Sequence, residues 1–265
     1  MRGFVHPLRT LWRCKFLLVS FIKREIKERI AGSFLGPLNF FLQPLLHLLL
    51  FVFLFKFVFK IRIQLSSSGD EFLPYFLSGF IPWSLHNEAL LRASHAVIIH
   101  GYLLTKVAFP AEILPLSSVL AIYALGLVGI LILLAFFLFT KGVSFFFLLL
   151  PVALLLQLVF SLGVVLFLAA LLVYLRDLQQ FLGLFTMVWF YASPILYTPE
   201  MLPDLLKPVV FLNPFTYFLD LWRAVYALLP FSLSNLALCF LLASASLLLG
   251  YAFFQKCKEG FADML

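Results

Sequence analysis

The chain has 265 residues, of which 64% are hydrophobic and 12% charged, with a mean hydropathy of +1.10. A soluble domain carries about a quarter charged residues, so this composition excludes a water-soluble fold and leaves lipid as the main solvent. The net charge of +7 does not indicate a nucleic-acid partner: eight of the 19 basic residues lie before Gly32 and most others flank apolar runs, as the positive-inside rule produces.

Residues 1–15 are interrupted by His6, Pro7, Arg9, Arg13 and Lys15, with neither an apolar core nor a small-residue cleavage site, so no removable leader is expected. From Thr10 to Ile30 the pattern predicts a helix lying on the membrane surface. Leu18, Ile22, Ile26 and Ile30 recur every four residues, and Lys23, Arg24, Lys27, Glu28 and Arg29 fill the other directions. The same basic segment also reads as an orientation signal without further role.

Each crossing of about 30 Å of hydrocarbon takes about 20 residues, and six such spans are predicted. The first runs from Leu38 to Phe59, after Gly36-Pro37, and a polar loop follows from Lys60 to Glu71. The second starts at Phe72 and weakens after Trp83, where Ser84, His86, Asn87 and Glu88 accumulate; Glu88 and Arg92 have the spacing of an ion pair. The third covers Ile113 to Phe139, ahead of a tight turn at Lys141-Gly142. The fourth covers Phe145 to Tyr174, the fifth Phe181 to Tyr191 and the sixth Leu233 to Phe254. The expected fold is therefore an all-α integral membrane protein with an N-terminal segment (1–37), a six-helix membrane domain (38–255) and a charged tail (256–265).

Two connecting segments are unusual. Between the second and third spans, 96–106 carries Val97, Ile98, Ile99, Tyr102, Leu103 and Leu104, more apolar side chains than a plain loop needs; they suit a brief helix docking into a groove on a partner. Between the fifth and sixth spans, 193–230 has prolines at 194, 199, 203, 208, 214 and 230. It is too broken to be one span and too apolar to be a free loop, so two short amphipathic helices are expected, at Pro199 to Val210 and Pro214 to Leu228. With both termini inside, the inner side collects about 13 basic residues and the outer about six, which agrees with an even number of spans.

No phosphate-binding GxxxxGK[ST] loop, HExxH or GxSxG is present, so no catalytic residue is expected, and any ATP used must be bound by another chain. Cys14, Cys239 and Cys257 lack ligand spacing, and no metal site is expected. Gln43 and His47 share a helix face, and with Asn87 and the aromatics Trp83, Trp189, Tyr191 and Tyr197 they are candidate channel-lining residues. Interhelical hydrogen bonding and interfacial aromatic belts account for the same residues. No internal repeat is visible, which favours a pathway made by dimerisation over an inverted-repeat transporter.

An ordered set of short motifs resembles the type-2 ABC exporter permeases. It comprises Gly32-Ser33, Leu35-Gly36 and Pro44; Trp83 and Ser94; Leu104, Lys106, Phe109-Pro110, Glu112 and Leu114-Pro115; Arg176-Asp177-Leu178; and Ser193-Pro194-Ile195, Tyr197, Asn213-Pro214 and Arg223. The short chain is most similar to the polysaccharide branch, in particular O-antigen exporter permeases of the Wzm type. Ile30, Asn39 and His100 depart from that pattern, standing where an aromatic, Trp and Asn are frequent.

The resemblance implies a homodimeric permease of the bacterial inner membrane, with both termini cytoplasmic, served by two copies of a separate ATP-binding subunit. That subunit would hold ATP and Mg, and the permease itself no cofactor. Residues 97–105 would be the coupling helix: Val97, Ile98, Ile99, His100, Tyr102, Leu103, Leu104 and Thr105. Arg9 to Ile30 would be the interface helix, with Arg24, Lys27 and Arg29 meeting the diphosphate of an undecaprenyl-diphosphate-linked glycan. Pro199 to Leu228 would form periplasmic re-entrant gate helices, with Pro194, Pro199, Asn213, Pro214, Tyr217 and Arg223 as gate residues. The rival readings are a small-molecule or antibiotic exporter of the same superfamily, an intramembrane enzyme acting on lipid-linked sugars, and a stand-alone channel.

Overall fold

The computed structural model describes residues 14–31, 46, 49–60, 63, 71–106 and 109–264. Regular structure among them is helical throughout. Residues 38–45, 47 and 48 of the first expected span, including Gln43 and His47, lie outside the described residues, as do residues 9–13 of the surface helix and most of the 60–71 loop.

Helix α1 spans Lys15–Ala31. Leu18, Ile22 and Ile26 are half-buried while Lys23, Arg24, Lys27 and Glu28 are exposed, so the four-residue stripe forms the face expected of it. Protein covers part of that face, because α1 packs along the long helix α6 (Ile113–Lys141). Ser118 Oγ of α6 donates to Glu25 Oε1 at 2.6 Å. Phe16 and Val19 remain exposed, at 78% and 47%.

The described part of the first span is α2 (Leu49–Val58), whose last six residues are π-helical. Helix α3 (Phe72–Glu88) contains Pro82 and continues through a π-helical stretch, Ala89–Ala93. Two short helices follow, α4 (Ala96–Ile99) and α5 (Gly101–Lys106). Helix α6 ends at Gly142, whose φ of 80° supplies the tight turn expected there. A 3-10 turn (Phe145–Leu149) leads into α7 (Leu150–Tyr174), and α8 spans Leu178–Ala192. The proline-rich segment contains a 3-10 turn (Pro199–Met201), α9 (Lys207–Leu212) and α10 (Pro214–Val225). Helix α11 (Leu233–Cys257) is followed by a last turn, Phe261–Met264.

Among the described residues, three helices are long and apolar enough to cross a membrane: Ile113–Lys141, Phe145–Tyr174 and Leu233–Gly260. Their 28–30 residues give about 42–45 Å at 1.5 Å per residue. Helix α8, with 15 residues, reaches only about 22 Å, short of the about 30 Å hydrocarbon core.

Apolar helices in lipid gain little by hiding from it, so close packing at small residues and interhelical hydrogen bonds hold them together. The α7–α11 pair is the clearest case. A Cβ on Gly163 would meet the Ser246 and Leu247 backbone, and one on Gly250 would meet the Gly163 carbonyl. At this crossing Ser246 Oγ also donates to Phe160 O at 2.9 Å.

The 193–230 segment differs from two matching surface helices. Helix α9 is exposed along Val209, Phe211 and Leu212, as is Leu205 just before it. Helix α10 is instead a wedge among α3, α7 and α11, with Phe215, Phe218, Leu219, Leu221, Trp222 and Arg223 buried. Its amphipathic pattern made a surface position plausible, but the polar members of that pattern find protein partners.

Candidate functional site

The first site begins with polar ties between α1 and α3. Glu88 Oε1 accepts from Arg29 Nη1 at 2.8 Å and lies 3.4 Å from Arg92 Nε. The expected Glu88–Arg92 pair therefore forms, and Arg29 makes the shorter and better-buried contact. Burial pulls the Arg29 guanidinium below its ordinary range, although Glu88 works against that shift. Arg24 Nε holds Glu28 at 2.6 Å, and that hydrogen bond, followed by one to Tyr102, raises its basicity. Lys27 is exposed. Of the three cations expected at the headgroup entrance, two are thus engaged with carboxylates of this chain.

The 96–106 segment is two helical pieces broken at His100. Val97 is fully buried, in a cluster with Ala111, Leu166, Ala170, Val173 and Phe254, and anchors the segment to the bundle. His100 is buried, with Nδ1 3.1 Å from Ala96 O and its ring edge-on to Phe21 of α1. Ile99 is 65% and Tyr102 49% exposed, while Ile98, Leu103 and Leu104 are half-buried. Thr105 lies in α5. The eight residues expected to meet a partner therefore divide: Val97 and His100 face inward, and Ile99 and Tyr102 face out.

The C-terminal end packs beside this segment, with Phe254 and Phe261 in the same cluster as Val97. Glu112 Oε1 accepts from Lys258 Nζ at 2.7 Å and from Gln255 Nε2 at 2.5 Å. Burial alone would push this carboxyl up, but the Lys258 hydrogen bond and the other contacts outweigh it, and Glu112 sits below its ordinary range. Phe261 packs on Phe254, and Arg176 Nη2 donates to Met264 O at 2.7 Å.

The second site centres on Arg223 and Asn213. Arg223 is 1% exposed, with its guanidinium 3.7 Å from the Tyr75 ring centroid, a cation–π arrangement. Its Nη2 donates to Pro194 O, which also accepts from Tyr75 Oη at 3.2 Å. Asp220 lies 3.4 Å from Nη1. Asn213 caps α10: Oδ1 accepts from Phe215 N at 3.0 Å and Trp189 Nε1 at 2.8 Å, and Nδ2 donates to Ser193 Oγ at 2.7 Å. The Arg223–Pro194–Tyr75 contacts tie α10 to α3, the Asn213–Trp189 bond ties it to α8, and the two sets adjoin at Ser193-Pro194. Pro199 starts the 3-10 turn, Pro214 the helix α10, and Tyr217 Oη donates to Phe211 O at 2.7 Å.

The aromatic candidates separate in the same way. Trp83 is 3% exposed, edge-on to Trp189 at 5.8 Å and to Phe215 at 5.0 Å. Tyr191 is exposed, Asn87, Trp189 and Tyr197 are half-buried, and Tyr197 Oη donates to Tyr191 O at 3.0 Å. Sequence reading overlooked Tyr75 and Gln157. Gln157 had a signal, being an amide inside a long apolar run, where polar groups are costly.

A family model described as ABC-2 type transporter matches residues 17–227. The chain belongs to that family. Among similar proteins, an O-antigen export system permease protein RfbA of Myxococcus xanthus is 32% identical over 98% of this chain and 100% of the relative. Two Klebsiella pneumoniae proteins of the same name are 26% and 25% identical, each over 94% of this chain and 95% of the relative. As an ABC-2 permease the chain is a multi-pass membrane subunit, and the family's permeases carry no nucleotide-binding domain. The 17–227 match takes in the Arg223–Asn213 site and the Arg29–Glu88 and 96–106 parts of the other, and ends before its C-terminal contributors Gln255, Lys258 and Met264.

Proposed function

We propose that this permease exports a lipid-linked polysaccharide across the bacterial inner membrane, driven by ATP bound and hydrolysed on a separate subunit. The observation that carries the reading is the alignment over 98% of this chain with a relative named as an O-antigen export permease, which it covers from end to end. Two copies of the chain would form the channel, each with one ATP-binding subunit supplying ATP and Mg, six spans per copy and both termini cytoplasmic. The cargo would be an undecaprenyl-diphosphate-linked glycan, with Lys27 and Arg24 the exposed cations among the three assigned to its headgroup.

Coupling would act at 96–106, where exposed Ile99 and Tyr102 offer the partner a contact and buried Val97 carries the push into the bundle. A partner shifts such an equilibrium only by touching its two states differently. The outer segment, 193–230, would be the gate, held at Pro194 by Arg223 and Tyr75.

The test is passage of labelled, lipid-linked polysaccharide to the far leaflet of vesicles containing the permease and its ATP-binding subunit. Passage should need ATP and be lost in Ile99→Ala, Leu103→Ala and Leu104→Ala variants. Normal export by all three would refute the coupling role. ATP hydrolysis without passage in the unaltered complex would instead make the cargo a small molecule.

A further inference from the structure

Resting on that transport reading, we infer that Gln157 is a positioning residue that locks α3 to α10, so that movement delivered at 96–106 reaches the outer segment. Gln157 sits in α7 at 0% exposure. Its Nε2 donates to Pro82 O of α3 at 2.7 Å, and its Oε1 accepts from Trp222 Nε1 of α10 at 2.6 Å. One planar amide thus satisfies a group on each of two other helices. An amide in an apolar interior is costly unless both ends are bonded, and here both are.

The placement of the two partners makes this more than a packing detail. Helix α3 runs through the Ala89–Ala93 stretch straight into α4 and α5, so its inner end moves with the coupling segment. Trp222 lies one residue from Arg223, whose own bond to Pro194 is shared with Tyr75 of α3. Helices α3 and α10 are therefore pinned twice, at Pro82 through Gln157 and at Tyr75 through Arg223. Apolar contacts between helices in lipid resist sliding weakly, whereas directional hydrogen bonds in a low dielectric resist it well. Removing the Gln157 pin leaves α10 held to α3 at one end, free to lag behind it.

The experiment uses the complex with its ATP-binding subunit in vesicles. Spin labels are placed at Val143 and Ala227, both exposed, in a background whose three cysteines are replaced. An ATP-dependent change in label separation is expected with Gln157 present. Gln157→Leu should abolish that change and lower glycan passage about tenfold, while ATP hydrolysis stays within about twofold. Gln157→Glu, kept neutral by its apolar surroundings and so retaining one donor and one acceptor, should restore both. If Gln157→Leu does not accumulate in the membrane, Trp222→Phe removes the same bond and carries the same expectation. An undiminished label shift in Gln157→Leu or Trp222→Phe, or hydrolysis falling there by the same factor as passage, would overturn the linkage. A Gln157-dependent shift without glycan passage in the unaltered complex would keep the linkage and refute the glycan.

Discussion

Replacing Gly250 by Ala tests whether α7 and α11 are held by backbone proximity. The added Cβ would land on the Gly163 carbonyl, a backbone group that cannot rotate away, so the helices must separate. Overpacking of this kind costs about 1–3 kcal/mol, and rigid backbone puts this site near the upper end. Separation also stretches the Ser246–Phe160 hydrogen bond, worth about 1 kcal/mol. Alanine's better helix propensity returns about 1 kcal/mol, leaving a net loss of about 3 kcal/mol. For a chain of this size each kcal/mol moves Tm by about 2–4 °C, so the detergent-solubilised variant should melt about 6–12 °C lower. Gly183→Ala is the internal control: nothing lies within 4 Å of its Cβ, and it should gain up to about 1 kcal/mol from propensity alone. Equal melting temperatures for Gly250→Ala and the unaltered protein would refute the close-packing argument.

In the 96–106 segment, Ile99→Asp should leave Tm within about 2 °C, because exposed substitutions change stability by about 0.5 kcal/mol or less, yet abolish co-purification of the ATP-binding subunit. Val97→Asp, at a fully buried position, should instead prevent accumulation of folded protein, as followed by fluorescence-detected size exclusion. The Glu112 carboxyl is held below its ordinary range by Lys258 and Gln255. Its contribution is therefore present above the unfolded carboxyl's pKa and is lost as pH falls through the lower folded-state value. Hydrogen exchange of residues 258–264 should accelerate on acidification through that window, and Glu112→Gln should flatten the dependence.

Some of this was legible in the residues because lipid enforces a simple code. Runs such as 113–141 and 145–174 have nowhere to go but a bilayer, and each forms a continuous helical stretch. Gly142 marked a turn because only glycine takes a φ of 80° without strain. A local signal also carried the Glu88–Arg92 pair. The direction each short helix faces was not legible, because periodicity shows that a helix has two faces without saying what covers either. Helix α10 reads as amphipathic and surface-bound, but Arg223 and Trp222 find partners on other helices and draw it into the bundle. In the 96–106 segment a run of apolar residues looked like one docking surface, and the break at His100 sends Val97 inward and Ile99 outward.

Composition and the spacing of apolar runs by themselves determined that the protein is helical and membrane-embedded, and the order of its short motifs pointed to the family. Tertiary structure alone decided which polar residues meet: Gln157 with Pro82 and Trp222, Arg223 with Tyr75 and Pro194, Arg29 with Glu88. Span formation is a transfer of side chains from water to lipid and sums over neighbours in sequence. A buried hydrogen bond needs two groups within about 3 Å of each other, and residues 75 or 59 positions apart reach that distance only after the helices have packed.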